Sequence, residues 1–83
     1  MSKATITDGA LDAKTKELIA LAISVTKQCD GCMASHARGA ARQGATEEEV
    51  AEALGVAVMM SGGPGIVHAP RAFEAFQEYT TVR

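Results

Sequence analysis

The sequence predicts a single all-α domain over residues 1–83, compact, of about four helices, and assembled as a homo-oligomer. Three observations carry that expectation. Apolar residues make up 47% of the chain, and much of that share is alanine, which favours helix. They recur at three- and four-residue spacing, and no stretch alternates as a half-buried strand would. Helix-boundary signals divide the chain at Gly44, at Thr46 to Glu49, and at the run Ser61-Gly62-Gly63-Pro64-Gly65.

The first helix is expected from about Asp8 to Lys27. Leu11, Lys14, Leu18, Leu21 and Val25 fall at helical spacing, with Lys14 the polar interruption. From Leu18 to Val25 the chain is apolar nearly all round, and such a helix is buried on several sides. In so short a chain, a neighbouring subunit is expected to cover one of them. The second helix is expected from Cys29 or Asp30 to about Gln43, with Gly44 in the left-handed position just past its end. Its body, Ala34, Ala37, Gly39, Ala40 and Ala41, is small-sided and permits close helix contact.

The third helix has the clearest start. In Thr46-Glu47-Glu48-Glu49 the threonine can accept from the N–H of Glu49 while Glu49 reaches back, a capping box. Three glutamates also suit the positive end of the helix dipole. Val50, Ala53, Leu54, Ala57 and Val58 form its stripe, to about Met60. A last helix carries Ile66, Ala69, Phe73, Phe76 and Tyr79. Pro70 inside that pattern implies that the helix begins there or bends there.

Composition narrows the functional classes. The chain has 83 residues, no Trp, one Tyr and two Phe, so an isolated protomer has a thin core. A domain of this size hides only roughly 60–65% of the surface its unfolded chain exposes. Close helix packing in an oligomer is the expected remedy. Eight basic and ten acidic residues give a net charge of −2. Without a basic stripe and interleaved aromatics, nucleic acid is not the expected partner. Met1-Ser2-Lys3-Ala4-Thr5 leads into no apolar h-region, and no apolar run is long enough to span a bilayer. The expectation is a cytoplasmic protein without a membrane partner. Two cysteines in that setting are a poor structural staple. At Cys-x-x-Cys spacing they point to redox chemistry or metal binding.

Cys29, Cys32 and His36 stand at i, i+3 and i+7, within roughly 60° of arc on one helix face. Two thiols three apart at a helix start can form a disulfide, and the N-terminal half-charge and free N–H groups favour thiolate over thiol. On that ground alone the more N-terminal Cys29 is the expected nucleophile. His36, one turn beyond Cys32, can accept its proton or stabilise its thiolate. Glu17 lies about 15 Å before the end of the first helix and His36 about 9 Å into the second. Antiparallel packing brings them within about one turn, where a carboxylate can orient the imidazole. Other readings of the same residues stand beside this one. The cysteines can be inert and buried. With His36 they supply three zinc ligands, for which His68 or Glu17 must be the fourth. Glu17 can be an ordinary solvated helix residue, His68 structural or exposed, and Met59 and Met60 core or interface filler.

Glu17, Cys29-x-x-Cys32 and His36, followed by Gly44-Ala45-Thr46-Glu47-Glu48-Glu49-Val50, resemble the alkyl hydroperoxidase D-like group of the carboxymuconolactone decarboxylase family. The resemblance covers about residues 11 to 62. It implies an all-helical fold assembled into trimers or hexamers, and a thiol-dependent peroxidase that reduces hydroperoxides in antioxidant defence. It implies that the second cysteine, Cys32, attacks the hydroperoxide and becomes a sulfenic acid, and that Cys29 then condenses with it to a disulfide. His36 and Glu17 then belong to a proton relay. A dithiol donor recycles the disulfide, and no haem, flavin or metal is required. The peroxidase D proteins place a histidine between the cysteines, where this chain has Gly31, and they are about twice as long. The decarboxylase branch lacks the cysteine pair, so lactone decarboxylation is not expected. The alternative is a module for non-peroxidatic thiol–disulfide exchange or for zinc binding.

Overall fold

The structure, a computed structural model, describes residues 5–81. Four helices follow in order: α1 (Ala13–Thr26), α2 (Asp30–Arg42), α3 (Glu47–Ser61) and α4 (Gly63–Thr81). No strand occurs among the described residues.

Helix α1 begins later than its apolar spacing predicts, at Ala13 rather than near Asp8. Two aspartates explain the shift. The Asp12 side chain accepts the N–H of Thr15 at 2.8 Å, and the Asp8 carboxylate accepts that of Ala13 at 2.7 Å. They satisfy two of the N–H groups that a helix start leaves open. Leu11 therefore precedes the helix and is half exposed.

The end of α1 sets up the start of α2. The N–H of Cys29 donates to the Ser24 carbonyl and that of Gln28 to the Val25 carbonyl, both at 3.1 Å. These are the two bonds of a Schellman motif. The motif places Gln28 in the left-handed region at φ 56°, which costs a residue with a Cβ about 1–2 kcal/mol. The turn delivers Cys29 directly as the N-cap of α2. Helix α2 ends in the same motif, now with a glycine. Gly44 (φ 80°) donates to Ala41 at 3.1 Å and Ala45 to Ala40 at 3.0 Å.

Helix α3 opens on the expected capping box. The Thr46 hydroxyl accepts from the Glu49 N–H at 3.0 Å, and Glu49 Oε1 accepts from the Thr46 N–H at 2.9 Å. The other oxygen of Glu49 takes the Lys14 ammonium at 2.9 Å, which sets the N-termini of α1 and α3 side by side. Gln77 of α4 donates to Glu47 at 3.2 Å, so α4 runs antiparallel to α3. Helix α4 neither starts at Pro70 nor stops there; it is continuous from Gly63. Pro70 supplies no N–H to the carbonyl of Ile66. Both residues are exposed, where water can serve that carbonyl.

Leu21 and Val25 of α1 meet Met33, Ala37 and Ala40 of α2, Val50, Leu54 and Ala57 of α3, and Ala69, Ala72 and Phe76 of α4 in one core. Helix α1 touches all three others. The outer faces are less covered than the apolar spacing suggests. Ile23 is 50% exposed and Ile66 64%. Met59 and Met60 are more than 70% exposed, so neither fills the core of this chain.

Candidate active site

The site is built where α1 and α2 pack together. Glu17 belongs to the buried side of α1, with Leu21, Ser24 and Val25 on the turns that follow. A carboxylate buried in such company needs a partner. It finds one in His36, whose Nδ1 lies 2.7 Å from Glu17 Oε1. An ionised carboxylate only accepts hydrogen bonds, so Nδ1 carries the proton and donates. In the neutral ring that leaves Nε2 as the basic nitrogen. The Glu17 side chain is only 12% exposed, whereas the imidazole keeps 28% of its surface open. The pair is therefore anchored inside and reachable from outside.

The sulfur chemistry sits one turn earlier on α2. Cys29 and Cys32 form a disulfide, with Cα atoms 5.2 Å apart. The Cys29 sulfur also accepts the backbone N–H of Cys32 at 3.2 Å, as an N-cap side chain does. Cys29 is half-buried and Cys32 exposed. When the disulfide is reduced, both sulfurs stand in the first turn of α2, where the positive helix end and its free N–H groups stabilise thiolate.

The structure thus brings together the expected Glu17 and His36, and pairs the expected Cys29 and Cys32 on the helix that carries His36. It does not gather a metal set: among the described residues no group of three or more His, Cys, Asp or Glu side chains can hold a metal ion. His68 stays apart on α4, with its Nδ1 buried and without a hydrogen-bond partner. One neighbour of the site escaped sequence reasoning. Gly39, three residues beyond His36, faces Glu17 so closely that a Cβ there would overlap the carboxylate. Its signal in the sequence is a glycine interrupting an alanine-rich helix.

A sequence profile of the carboxymuconolactone decarboxylase family matches residues 1–75. The chain belongs to the carboxymuconolactone decarboxylase family. Its fold is that of solved members of this family. It superposes on apo-lpg0406, a carboxymuconolactone decarboxylase family protein from Legionella pneumophila, with a TM-score of 0.93 and 50% identity, over 96% of this chain and 71% of that one. TM1620 from Thermotoga maritima gives 0.89 and 36%, over 98% and 73%. Among curated relatives, the uncharacterized protein 4 in the cox locus of Paracoccus denitrificans is 44% identical over 78 residues, 94% of this chain and 70% of the relative. An uncharacterized protein from Cupriavidus necator, H16_B0147, is 46% identical over 74 residues, 89% of this chain and 66% of the relative. The chain thus spans about two thirds of the length of these relatives. Within the family, its Cys-x-x-Cys disulfide and Glu–His pair match the alkyl hydroperoxidase D relay. Fold and motif together make an active site of the oxidoreductase, peroxidase type.

Proposed function

We propose that this protein is a thiol-dependent peroxidase for hydroperoxides, with Cys32 as the attacking thiol, Cys29 as the resolving thiol, and His36 and Glu17 as the relay. The observation that carries the reading is the Glu17–His36 bond of 2.7 Å, one helical turn from Cys32. Thiolate, not thiol, is the nucleophile. His36, its Nδ1 held by Glu17, presents Nε2 as the base that takes the Cys32 proton. Helical spacing places it over Cys32 rather than Cys29, which is why proximity to a base outweighs the slightly stronger helix end at Cys29.

The steps balance as follows. Cys32 thiolate attacks the outer peroxide oxygen; the S–O bond forms, the O–O bond breaks, and the leaving alkoxide takes a proton to become the alcohol. Cys32 is then a sulfenic acid. Cys29 thiolate attacks that sulfur, the disulfide forms, and hydroxide leaves and is protonated to water. Two thiols have lost two electrons and the hydroperoxide has gained them. A dithiol, protein or small molecule, returns two electrons and two protons. None of these steps calls on a cofactor.

The remaining features of the proposal follow from the surface. Leu18, Ile19 and Ile23 of α1 and Ala53 and Val56 of α3 line an open apolar groove, which supports a homo-oligomer as the working state; the family resemblance implies a trimer or hexamer. Among the described residues no helix is long and apolar enough to cross a membrane. The proposal places this one-domain chain in the cytoplasm, where a dithiol donor is at hand. Exposed Cys32 also suits exchange with a protein disulfide, the second reading. Turnover separates the two. A catalytic amount of fully reduced protein, given hydrogen peroxide in molar excess over protein and dithiol in excess over peroxide, should consume many equivalents of peroxide. A single loss of thiols without turnover favours the exchange module instead.

A further inference from the structure

We propose that Gly39 is a positioning residue of the relay: its missing side chain is the slot that holds the Glu17 carboxylate against His36. The proposal rests on the peroxidase reading for its kinetic consequence, but its geometry does not. A Cβ built on Gly39 meets three atoms before any other. All belong to Glu17: both carboxylate oxygens and the carbon between them, with Oε1 at 2.6 Å and the others nearer. Oε1 is the oxygen bonded to His36 Nδ1. The space next to Gly39 is thus filled by the acceptor of the relay bond itself.

The contrast with Gly65 shows what is specific here. Around Gly65 the Ser61 hydroxyl is nearest, but backbone atoms of Val58 and Ala57 follow closely, the mark of two helices in close approach. At Gly39 the three nearest atoms are all of one carboxylate group, and none is backbone. A glycine within a helix costs roughly 0.5–1 kcal/mol relative to alanine, and its neighbours Ala37, Ala40 and Ala41 show what this helix otherwise uses. The cost has a counterpart in function. Glu17 is buried, so its carboxylate has few other positions, and among the described residues His36 is its one side-chain partner. Chemically, the slot decides which imidazole nitrogen carries the proton. With the carboxylate in place, Nδ1 donates and Nε2 is the base. Displaced by a methyl group, the carboxylate no longer fixes that tautomer.

The test is a cycle of Gly39→Ala, Glu17→Ala and the double variant, with two readouts. The first is the rate at which hydrogen peroxide oxidises the reduced thiols in a single turnover. The second is the ¹⁵N spectrum of the His36 imidazole, which distinguishes a proton on Nδ1 from one on Nε2. Gly39→Ala should slow oxidation about as much as Glu17→Ala, on the order of 10²-fold. The double variant should be no slower than either single one. Gly39→Ala should also shift the ring away from the Nδ1–H form. Wild-type rate with an intact Nδ1–H signature in Gly39→Ala, or losses that multiply in the double variant, would overturn the proposal. Should the wild type fail to react with peroxide, the peroxidase reading falls, while the imidazole spectrum still decides the role of Gly39. Should Gly39→Ala not fold, the double variant must fold, because the deleted carboxylate leaves room for the methyl group; if both unfold, Gly39 is a packing residue and the proposal is wrong.

Discussion

Glu17 of α1 and His36 of α2 are joined by a 2.7 Å hydrogen bond between Oε1 and Nδ1, and this bond ties the packing of two helices to the basicity of one imidazole nitrogen. Its inner end is the more buried and its outer end the more exposed. A relay of this shape makes a kinetic prediction. Glu17→Gln and His36→Ala should both slow thiol oxidation at neutral pH, by about 10²–10⁴-fold if proton transfer is what is lost. The His36→Ala defect should shrink above the ordinary thiol pKa of about 8.5, where Cys32 ionises without help. A rate-against-pH profile of each variant checks this. A defect that is the same at every pH assigns the pair to packing instead.

A second prediction concerns the turn that presents Cys29. Gln28 adopts φ 56° in the same motif in which the next helix end uses Gly44. Gln28→Gly should stabilise the fold by about 1 kcal/mol, the relieved left-handed strain less the added freedom of the unfolded chain. Denaturant unfolding of the reduced protein measures it. A loss of stability would show that the Gln28 side chain contributes more than its backbone costs.

Stability against pH follows from the pairing of Lys14 and Glu49. The Lys14 ammonium and the Thr46 N–H hold the Glu49 carboxyl below its ordinary 4.5. The hydroxyl and N–H of Thr15 hold Asp12 below 3.8. For both, the unfolded chain takes up protons first, so their contribution is full above the ordinary value and is lost as pH falls through the lowered one. The hydrogen bond to Glu49 holds Lys14 above 10.5, so its contribution is full below 10.5 and is lost as pH rises through the raised value. The melting temperature should form a plateau between these limits. Glu49→Gln should lower the plateau and weaken both limbs. Thermal melts across the pH range test this, and unchanged limbs in Glu49→Gln would refute it.

A fourth prediction concerns assembly. The groove of Leu18, Ile19, Ile23 and Val56 and the bare Met59 and Met60 should be covered in solution by other copies of the chain. The melting temperature should then rise with protein concentration, and Ile23→Glu should dissociate the assembly. Sedimentation together with concentration-dependent melting checks both. A monomer with a fixed melting temperature contradicts the expectation.

The elements that could be read from the sequence are those whose chemistry is local. The Thr46–Glu49 box, Gly44 beyond α2, and the Cys29, Cys32 and His36 face each lie within a few turns of one helix. Glu17 was legible only through the lengths of two helices assumed antiparallel, and the structure closes that distance to a bond. What stayed hidden depended on choices between equivalent local signals or on contacts between helices. Asp8 and Asp12 are both capping residues, and both are used, so the start of α1 moves to Ala13. Pro70 reads as a helix start or a bend, yet α4 already begins at Gly63 and includes Pro70 in its interior. Ile66 fits the apolar stripe by spacing, but the buried line of α4 runs through Ala69, Ala72 and Phe76. Gly39 reads as one small residue among several until the Glu17 carboxylate is seen to occupy its place.

The division of labour between the two thiols tests the account most directly. Reduced Cys29→Ser protein, given one equivalent of hydrogen peroxide and a sulfenic-acid trap, should be labelled at Cys32, as peptide mass mapping will show. Reduced Cys32→Ser should consume no peroxide at a comparable rate, and oxidised wild type should contain the Cys29–Cys32 bridge within one chain. Labelling of Cys29 in the Cys32→Ser variant, with Cys32 inert in Cys29→Ser, would contradict the account: the helix end, not the Glu17–His36 pair, would then select the nucleophile.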